Sequence, residues 1–170
     1  LFARSNCVAC HSADASFANR AGSLDAPKLD RIGSRASSSW ISNYLSAPAH
    51  TGSTGMRMPN LLHGMGSDAN AKTVRQLTAY LSSLQAGSTS TPFLTTRPSQ
   101  ISAGEKLWLS VGCTACHPAA PSDDWLGTKW NASELVSFLK DPTSVWPSGQ
   151  MPKTNLSDEE TQALASWLLR

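Results

Sequence analysis

The sequence predicts an all-α chain made of two similar domains joined by a linker. Three observations predict this class. The chain of 170 residues is an imperfect internal repeat, apolar residues recur at helical spacing in each copy, and no segment alternates as strands do. We place the first domain at residues 1–86, the linker at 87–100 and the second domain at 101–170.

Two helices are predicted in the first domain. Residues 37–46 form a short middle helix, because a serine opens the segment and Pro48 follows its end. Residues 68–84 form the final helix. Its apolar residues recur every three or four positions and define one buried face: Val74, Leu77, Tyr80, Leu81 and Leu84.

The second domain repeats this order, and its helices have clearer starts. Two capping-box patterns mark where these helices begin, and they read Asn131-x-x-Glu134 and Ser157-x-x-Glu160. The first of these helices is predicted to run to about Lys140, ahead of Pro142, and the second to about Leu169. Residues 87–100 are rich in serine, threonine and proline without periodicity, and so form the predicted linker.

Composition and charge limit the function classes. Charged residues make up 15% of the chain and the net charge is +2, so we expect no general nucleic-acid binding. The charge is unevenly distributed, with +4 over residues 1–88 and −3 over 101–170. No apolar stretch approaches the ~18 residues of a membrane span. The abrupt start at Leu1 indicates a mature chain or a module of a larger protein.

All four cysteines lie in two copies of one motif, C-x-x-C-H, which is the pattern of covalent c-type haem attachment. Two thiols at this spacing each add across one haem vinyl group, and the histidine that follows lies under the iron as proximal ligand. We therefore expect two c-type haems. The copies read Cys7-Val8-Ala9-Cys10-His11 and Cys113-Thr114-Ala115-Cys116-His117.

Redox pairs, zinc sites and disulfides also use paired cysteines, but each explains less of the C-x-x-C-H pattern than haem attachment does. A thioredoxin-like redox pair needs a βαβ context, which the sequence lacks. A single zinc site needs its two cysteine pairs much closer together in the chain. Disulfides in a secreted protein leave the histidine after each pair unexplained.

With these motifs the chain resembles the class I cytochrome c family in two tandem copies. In that family an aromatic residue stands five positions before the first cysteine, as Phe2 and Trp108 do here. We expect Phe2 to meet Tyr80, and Trp108 to meet Trp167, where the first and last helices cross. A glycine near the start of the first helix is matched by Gly104. In the first domain that position precedes the first residue, so the chain is expected to start inside this helix.

The resemblance also implies a proline whose carbonyl bonds the proximal histidine. Pro27-Lys28-Leu29 matches the Pro-x-Leu element of the family, so we expect Pro27 to contact His11. In the second domain, Pro121 and Leu126-Gly127 match this element loosely.

The family takes its distal iron ligand from a methionine that is commonly followed by proline. Met58-Pro59 and Met151-Pro152 stand in that place. Met151 is the only methionine of the second domain. In the first domain Met58 is favoured over four other candidates, and a histidine ligand there would lower the potential. Those candidates are Met56, Met65, His50 and His63.

An iron held by histidine and methionine has no open position, so we expect it to exchange electrons rather than bind a substrate. The expected function is electron transfer by a dihaem cytochrome that relays electrons between donor and acceptor proteins, without enzymatic activity or a small-molecule substrate. The alternatives are an electron-entry module of a larger oxidoreductase, a small dihaem peroxidase and a haem sensor. The resemblance implies haem attachment outside the cytoplasm, so we expect a periplasmic or otherwise exported protein.

Overall fold

A computed structural model of the chain describes residues 1–14, 26–48, 58–85, 97–118, 123–149 and 151–170. The chain divides into two compact units, Leu1–Ala86 and Gly87–Arg170. The described residues form helices and contain no strand, so the predicted all-α class is confirmed. Seven α-helices lie in these ranges: α1 Ile32–Arg35, α2 Ser38–Ser46, α3 Ser67–Ser83, α4 Pro98–Ser110, α5 Asp123–Lys129, α6 Ala132–Lys140 and α7 Asp158–Leu168.

In unit one, α3 packs against α2 and α1. The Ser37 hydroxyl caps α2 by accepting the backbone N–H of Trp40 at 3.1 Å. The buried face of α3 contains Val74, Leu77 and Leu81, as its periodicity predicted. Both helices lie within one residue of their predicted bounds.

The sequence did not predict α1, a helix of only four residues. It lies close to α3, because the N–H of Gly33 donates to the carbonyl of Leu84 at 2.9 Å. A Cβ at Gly33 would lie 2.2 Å from the backbone oxygen of Ser82, so only glycine fits this contact.

In unit two, α4 packs most extensively against α7. The two capped helices begin where predicted. The Asn131 side chain accepts the N–H of Glu134 at 2.9 Å, and Ser157 and Glu160 form both halves of a capping box. Gly104 lies in the middle of α4, at the crossing with α7, rather than at the helix start.

Two more sequence-based assignments in unit two need correction, and one helix is added. Helix α4 begins at Pro98, so the last residues of the predicted linker 87–100 are helical, with proline in the first turn, which it favours. Helix α5 was not predicted. It contains Leu126-Gly127, which therefore corresponds to Ile32-Gly33 of α1 rather than to the Pro-x-Leu element.

The predicted aromatic pairs are both present. The ring centroids of Phe2 and Tyr80 lie 5.5 Å apart in unit one, and those of Trp108 and Trp167 lie 5.5 Å apart in unit two. Each pair joins the segment before a C-x-x-C-H motif to the last helix of its unit. No helix in the described ranges is long and apolar enough to cross a membrane.

Before the first motif, Ser5 N–H donates to the Leu1 carbonyl at 2.8 Å, as Val111 does to Leu107 at the end of α4. This bond spans four residues, as in an α-helix. The turn that ends α4 is therefore repeated at the start of unit one.

Candidate functional site

The first C-x-x-C-H motif is folded as one tight turn. Cys7–Ala9 form a 3-10 helix, and the preceding Asn6 is left-handed, with φ 60°. The N–H groups of Cys10 and His11 both donate to the carbonyl of Cys7, at 3.2 and 3.0 Å. Both thiols and the imidazole therefore project from a single hydrogen-bonded turn.

The second motif has the same backbone conformation. Cys113–Ala115 form a 3-10 helix after Gly112, whose φ is 91°. The N–H groups of Cys116 and His117 donate to the Cys113 carbonyl, at 3.3 and 2.9 Å. Glycine adopts the left-handed conformation freely, and asparagine does so more readily than most residues. This explains why Asn6 and Gly112 stand directly before the first cysteine of each motif.

The imidazole of His11 is oriented by the loop that follows the motif. Its Nδ1 lies 2.8 Å from the carbonyl oxygen of Pro27, and because a carbonyl only accepts, Nδ1–H is the donor. The contact implied by the family resemblance is therefore present. Nε2 is left to coordinate a metal. Burial lowers the pKa of His11, and the bond to Pro27 opposes this effect. The lowered pKa favours the neutral imidazole that coordination requires.

Two further hydrogen bonds hold this loop in place. The N–H of Leu29 donates to the carbonyl of Ser12 at 2.7 Å. At the end of α1, Arg35 donates from Nη2 to the carbonyl of Lys28 at 3.1 Å. The Arg35 side chain is buried, with 4% exposure, although it carries a charge.

Sequence reasoning missed two residues that support the first site. Arg35 closes a pattern of apolar, glycine, hydroxyl and basic residues at 32–35 that recurs at 126–129, and this repeat was the available signal. Asp14, which binds Tyr80, has no comparable signal because its partner lies 66 residues away.

Met58 lies on an apolar cleft in unit one that the first cysteine also lines. Its walls include Cys7, Leu45 of α2, Leu77 of α3 and the Met58-Pro59 pair. Met58 is partly buried against the core there. A thioether sulfur is a soft ligand that suits Fe(II). This cleft therefore brings together a thiol that can attach a haem and a thioether that can bind its iron.

The other predicted candidates for the first distal ligand are placed differently. Met65 is 42% exposed and His63 is exposed, and both lie in the turn before α3. Met56 and His50 lie outside the described residues. Of the candidates that the structure describes, only Met58 packs against the core.

In unit two, Cys113 and Met151 pack against one apolar cluster, as the corresponding residues do in unit one. The ring of Trp108 lies 5.7 Å from the imidazole of His117. His117 and Cys116 are exposed, so the second motif is the more accessible of the two. Pro121 lies outside the described residues, so the implied contact between Pro121 and His117 stays a prediction.

The donor groups of each unit fit a c-type haem. All four cysteines carry free thiols, and burial raises the pKa of Cys7 and of Cys113. Each unit therefore offers two thiols for covalent attachment, one imidazole and one thioether, which are the groups that hold such a haem.

Tyr80 ties the segment after the first motif to α3. Its hydroxyl donates to Oδ2 of Asp14 at 2.7 Å. Burial, together with this hydrogen bond, raises the pKa of Tyr80 to about 12. An unfolded tyrosine titrates near pH ~10. The stability that the neutral hydroxyl provides is thus complete below about pH 10 and is lost as the pH rises through about 12.

Replacing Tyr80 with phenylalanine is expected to lower the free energy of unfolding by about 1 kcal/mol at neutral pH, because the bond to Asp14 is lost. The variant should also lose less stability than the parent protein above about pH 10. Denaturant unfolding across this pH range measures both effects. Tyr44→Phe leaves the Asp14 bond intact and serves as the control at neutral pH. Equal alkaline losses in parent and Tyr80→Phe would contradict the assignment.

Comparison with protein-family models finds one match in each copy of the internal repeat. Residues 1–85 match the family model described as cytochrome c, and residues 99–168 match the one described as cytochrome C oxidase, cbb3-type, subunit III. Searches of curated proteins and of solved structures found no match to the chain. Each match covers one C-x-x-C-H motif and the methionine that follows it. The chain belongs to the cytochrome c family and consists of two cytochrome c domains in tandem.

Proposed function

We propose that this chain is a two-haem electron-transfer protein in which each domain holds one c-type haem through its two cysteines. His11 and Met58 are the axial ligands in the first domain, and His117 and Met151 are the ligands in the second. The bound haem supplies one-electron exchange between Fe(III) and Fe(II). The supporting observation is that each unit places the first cysteine of its motif and the methionine of its Met-Pro pair on one apolar cluster.

The proposed ligands favour a carrier over an enzyme. Histidine and methionine together fill both axial positions, so no substrate reaches the iron. The soft thioether favours Fe(II) and raises the potential relative to ligation by two histidines. The hydrogen bond from His11 to Pro27 keeps the imidazole in one orientation as the iron changes charge.

The partners are a donor and an acceptor protein, and charge distinguishes their docking surfaces. Residues 1–88 have a net charge of +4, which favours an acidic partner, and residues 101–170 have −3, which favours a basic one. Such charges mainly raise the rate of association. Because haem attachment in the resembled family takes place outside the cytoplasm, the protein is periplasmic or otherwise exported.

A second candidate is that the chain is the electron-entry module of a larger oxidoreductase. The match of residues 99–168 to a family described as an oxidase subunit favours this role. The same two haems would then deliver electrons to chemistry carried out elsewhere in the assembly.

An optical redox titration with a haem count per chain tests the proposal. We expect two low-spin haems per chain, both with the Met–Fe(III) charge-transfer band and both titrating at positive potentials. A single haem, a high-spin haem, or carbon monoxide binding to the reduced protein at neutral pH would contradict the carrier assignment. The last result would favour a peroxidase or a sensor instead.

A further inference from the structure

The connection between α6 and α7 carries Met151, the proposed distal ligand of unit two. It covers residues 141–157 and has two parts. The first part is held by its own turns, since the N–H of Trp146 donates to the carbonyl of Pro142 at 2.9 Å. In the part of unit two that the structure describes, residues 151–156 take part in no such backbone turn. Side chains therefore decide where the segment that carries the sulfur lies.

Thr154 ties this segment to the end of α6. Its hydroxyl donates to the backbone carbonyl of Leu139 at 3.2 Å, although the two residues are fifteen positions apart in the chain. Leu139 lies in the last turn of α6, where carbonyls have no partner within the helix, and it is 5% exposed. A buried carbonyl without a partner is unfavourable, so this carbonyl favours the loop position that brings the hydroxyl to it.

The bond from Thr154 lies between two apolar contacts of the same segment. Met151 and Leu156, on either side of Thr154, are both partly buried against the apolar cluster of unit two. A charge pair between Lys140 and Asp158 also joins the ends of α6 and α7, but its side chains are 39% and 79% exposed, and such pairs contribute little. Among the described contacts of residues 151–156, the bond from Thr154 is thus the polar one that links the segment to α6.

Unit one fixes the segment after its methionine in a comparable way. Leu62 follows Met58 closely in the chain, and its carbonyl accepts Nδ2 of Asn70, on α3, at 3.3 Å. The helix differs between the units, because α3 follows the methionine segment and α6 precedes it. In each unit one bond from side chain to backbone nevertheless joins this segment to a helix. Unrelated residues meet the same need twice, which supports a role at the site.

An external ligand reaches an iron that already holds histidine and methionine only after the methionine leaves. The sulfur moves with the chain that carries it, so Met151 leaves the iron when its segment moves off α6 and the bond from Thr154 to Leu139 breaks. We propose that Thr154 is a positioning residue that keeps Met151 on the iron of the second haem. It acts mainly in the oxidised state, because the soft thioether binds Fe(III) less well than Fe(II). The inference rests on the proposed function.

Imidazole titration of the oxidised two-haem protein tests this role. Imidazole displaces the methionine, so an Fe–S bond breaks, an Fe–N bond forms and the Met–Fe(III) band is lost, with no electron transferred. Thr154→Val keeps the shape of the side chain and removes the hydroxyl. We expect it to lower about fivefold the imidazole concentration that removes the band of one haem, which corresponds to the loss of one hydrogen bond, and to leave the other band unchanged. Thr154→Ser keeps the hydroxyl and is expected to titrate as the parent protein does.

Thr143→Val is the matched control. Thr143 lies in the same connection, and its hydroxyl donates to the carboxylate of Asp141 within the turn that follows α6. This variant loses the same kind of group without touching the segment of Met151, so both bands should titrate as in the parent protein. Thr154→Ala is expected to match Thr154→Val and replaces it if the valine variant does not bind two haems.

Three results would overturn the role of Thr154. In the first, Thr154→Val titrates as the parent protein does, so the hydrogen bond does not hold the sulfur. In the others, Thr154→Ser or Thr143→Val shifts as far as Thr154→Val, so the shift reflects a general loosening of the connection. A failure of the proposed function is distinguishable from all three. It would show in the parent protein, before imidazole is added, as a missing haem or a missing Met–Fe(III) band.

Discussion

Replacing Met58 with leucine is expected to remove the Met–Fe(III) charge-transfer band of one haem and to lower the midpoint potential of that haem. Leucine keeps the side chain apolar and of similar size, so packing on the cleft with Cys7 and Leu77 is retained while the sulfur is lost. Axial ligands set haem potentials over a range of about 0.8 V. We expect a fall of at least about 59 mV, a tenfold change in the Fe(III)/Fe(II) ratio.

Met65→Leu is the matched control for this variant. Met65 belongs to the same segment before α3, yet its side chain is 42% exposed, so its sulfur is not expected to reach the iron. The control should keep both bands and both midpoints. If Met65→Leu loses a band and Met58→Leu keeps both, the distal ligand comes from the turn before α3.

Met151→Leu is the corresponding variant of unit two. It should remove the band of the other haem, because this domain contains no second methionine. The two single variants together should therefore account for both bands. A band that persists in the double variant would mean that neither methionine is the ligand of that haem.

Elements with local signals were predictable from the sequence. The caps at Ser37, Asn131 and Ser157 mark the starts of α2, α6 and α7, because a side-chain oxygen satisfies a backbone N–H only a few residues away. The C-x-x-C-H turns are also local, since their hydrogen bonds span three or four residues. Local chemistry thus specified the motif and the helices that flank it.

Elements that depend on distant contacts were not predictable. Helix α1 is too short to show periodicity, and it is held against the end of α3 by the N–H of Gly33, which donates to the carbonyl of Leu84, far along the chain. The burial of Arg35 has the same origin, because nothing near it in the sequence indicates that its charge is enclosed. Met58 was favoured over Met56 through the proline that follows it and through its place in the loop.

The second large effect is expected at Gly104, where α4 crosses α7. A Cβ at this position would lie 2.2 Å from the backbone oxygen of Ala163 and 2.7 Å from Cβ of Trp167. Because the closest atom is backbone, no side-chain rotation relieves the clash, and α4 must move away from α7. That movement would also disturb the contact of Trp108 with Trp167, and Trp108 lies against the ring of His117.

Gly104→Ala is therefore expected to lower the free energy of unfolding of unit two by about 1–3 kcal/mol, the usual cost of overpacking. Gly127→Ala is the matched control, because Gly127 is also helical and a Cβ there meets nothing within 4 Å. In an open helical position alanine restricts the unfolded chain, so this control should raise stability by about 0.4–1 kcal/mol. Calorimetric unfolding of the haem-containing protein measures both changes.

The expected stability changes of Gly104→Ala and Gly127→Ala have opposite signs, which distinguishes an effect of packing from an effect of helix propensity. Alanine favours a helix over glycine at both positions, so a propensity effect alone would stabilise both variants. Gly33 adds a second test. It is the counterpart of Gly127 in the repeat, but a Cβ at Gly33 would lie 2.2 Å from the oxygen of Ser82. If Gly33→Ala and Gly104→Ala both destabilise while Gly127→Ala does not, close backbone approach is the cause. Stabilisation of all three would contradict the helix crossings described for both units.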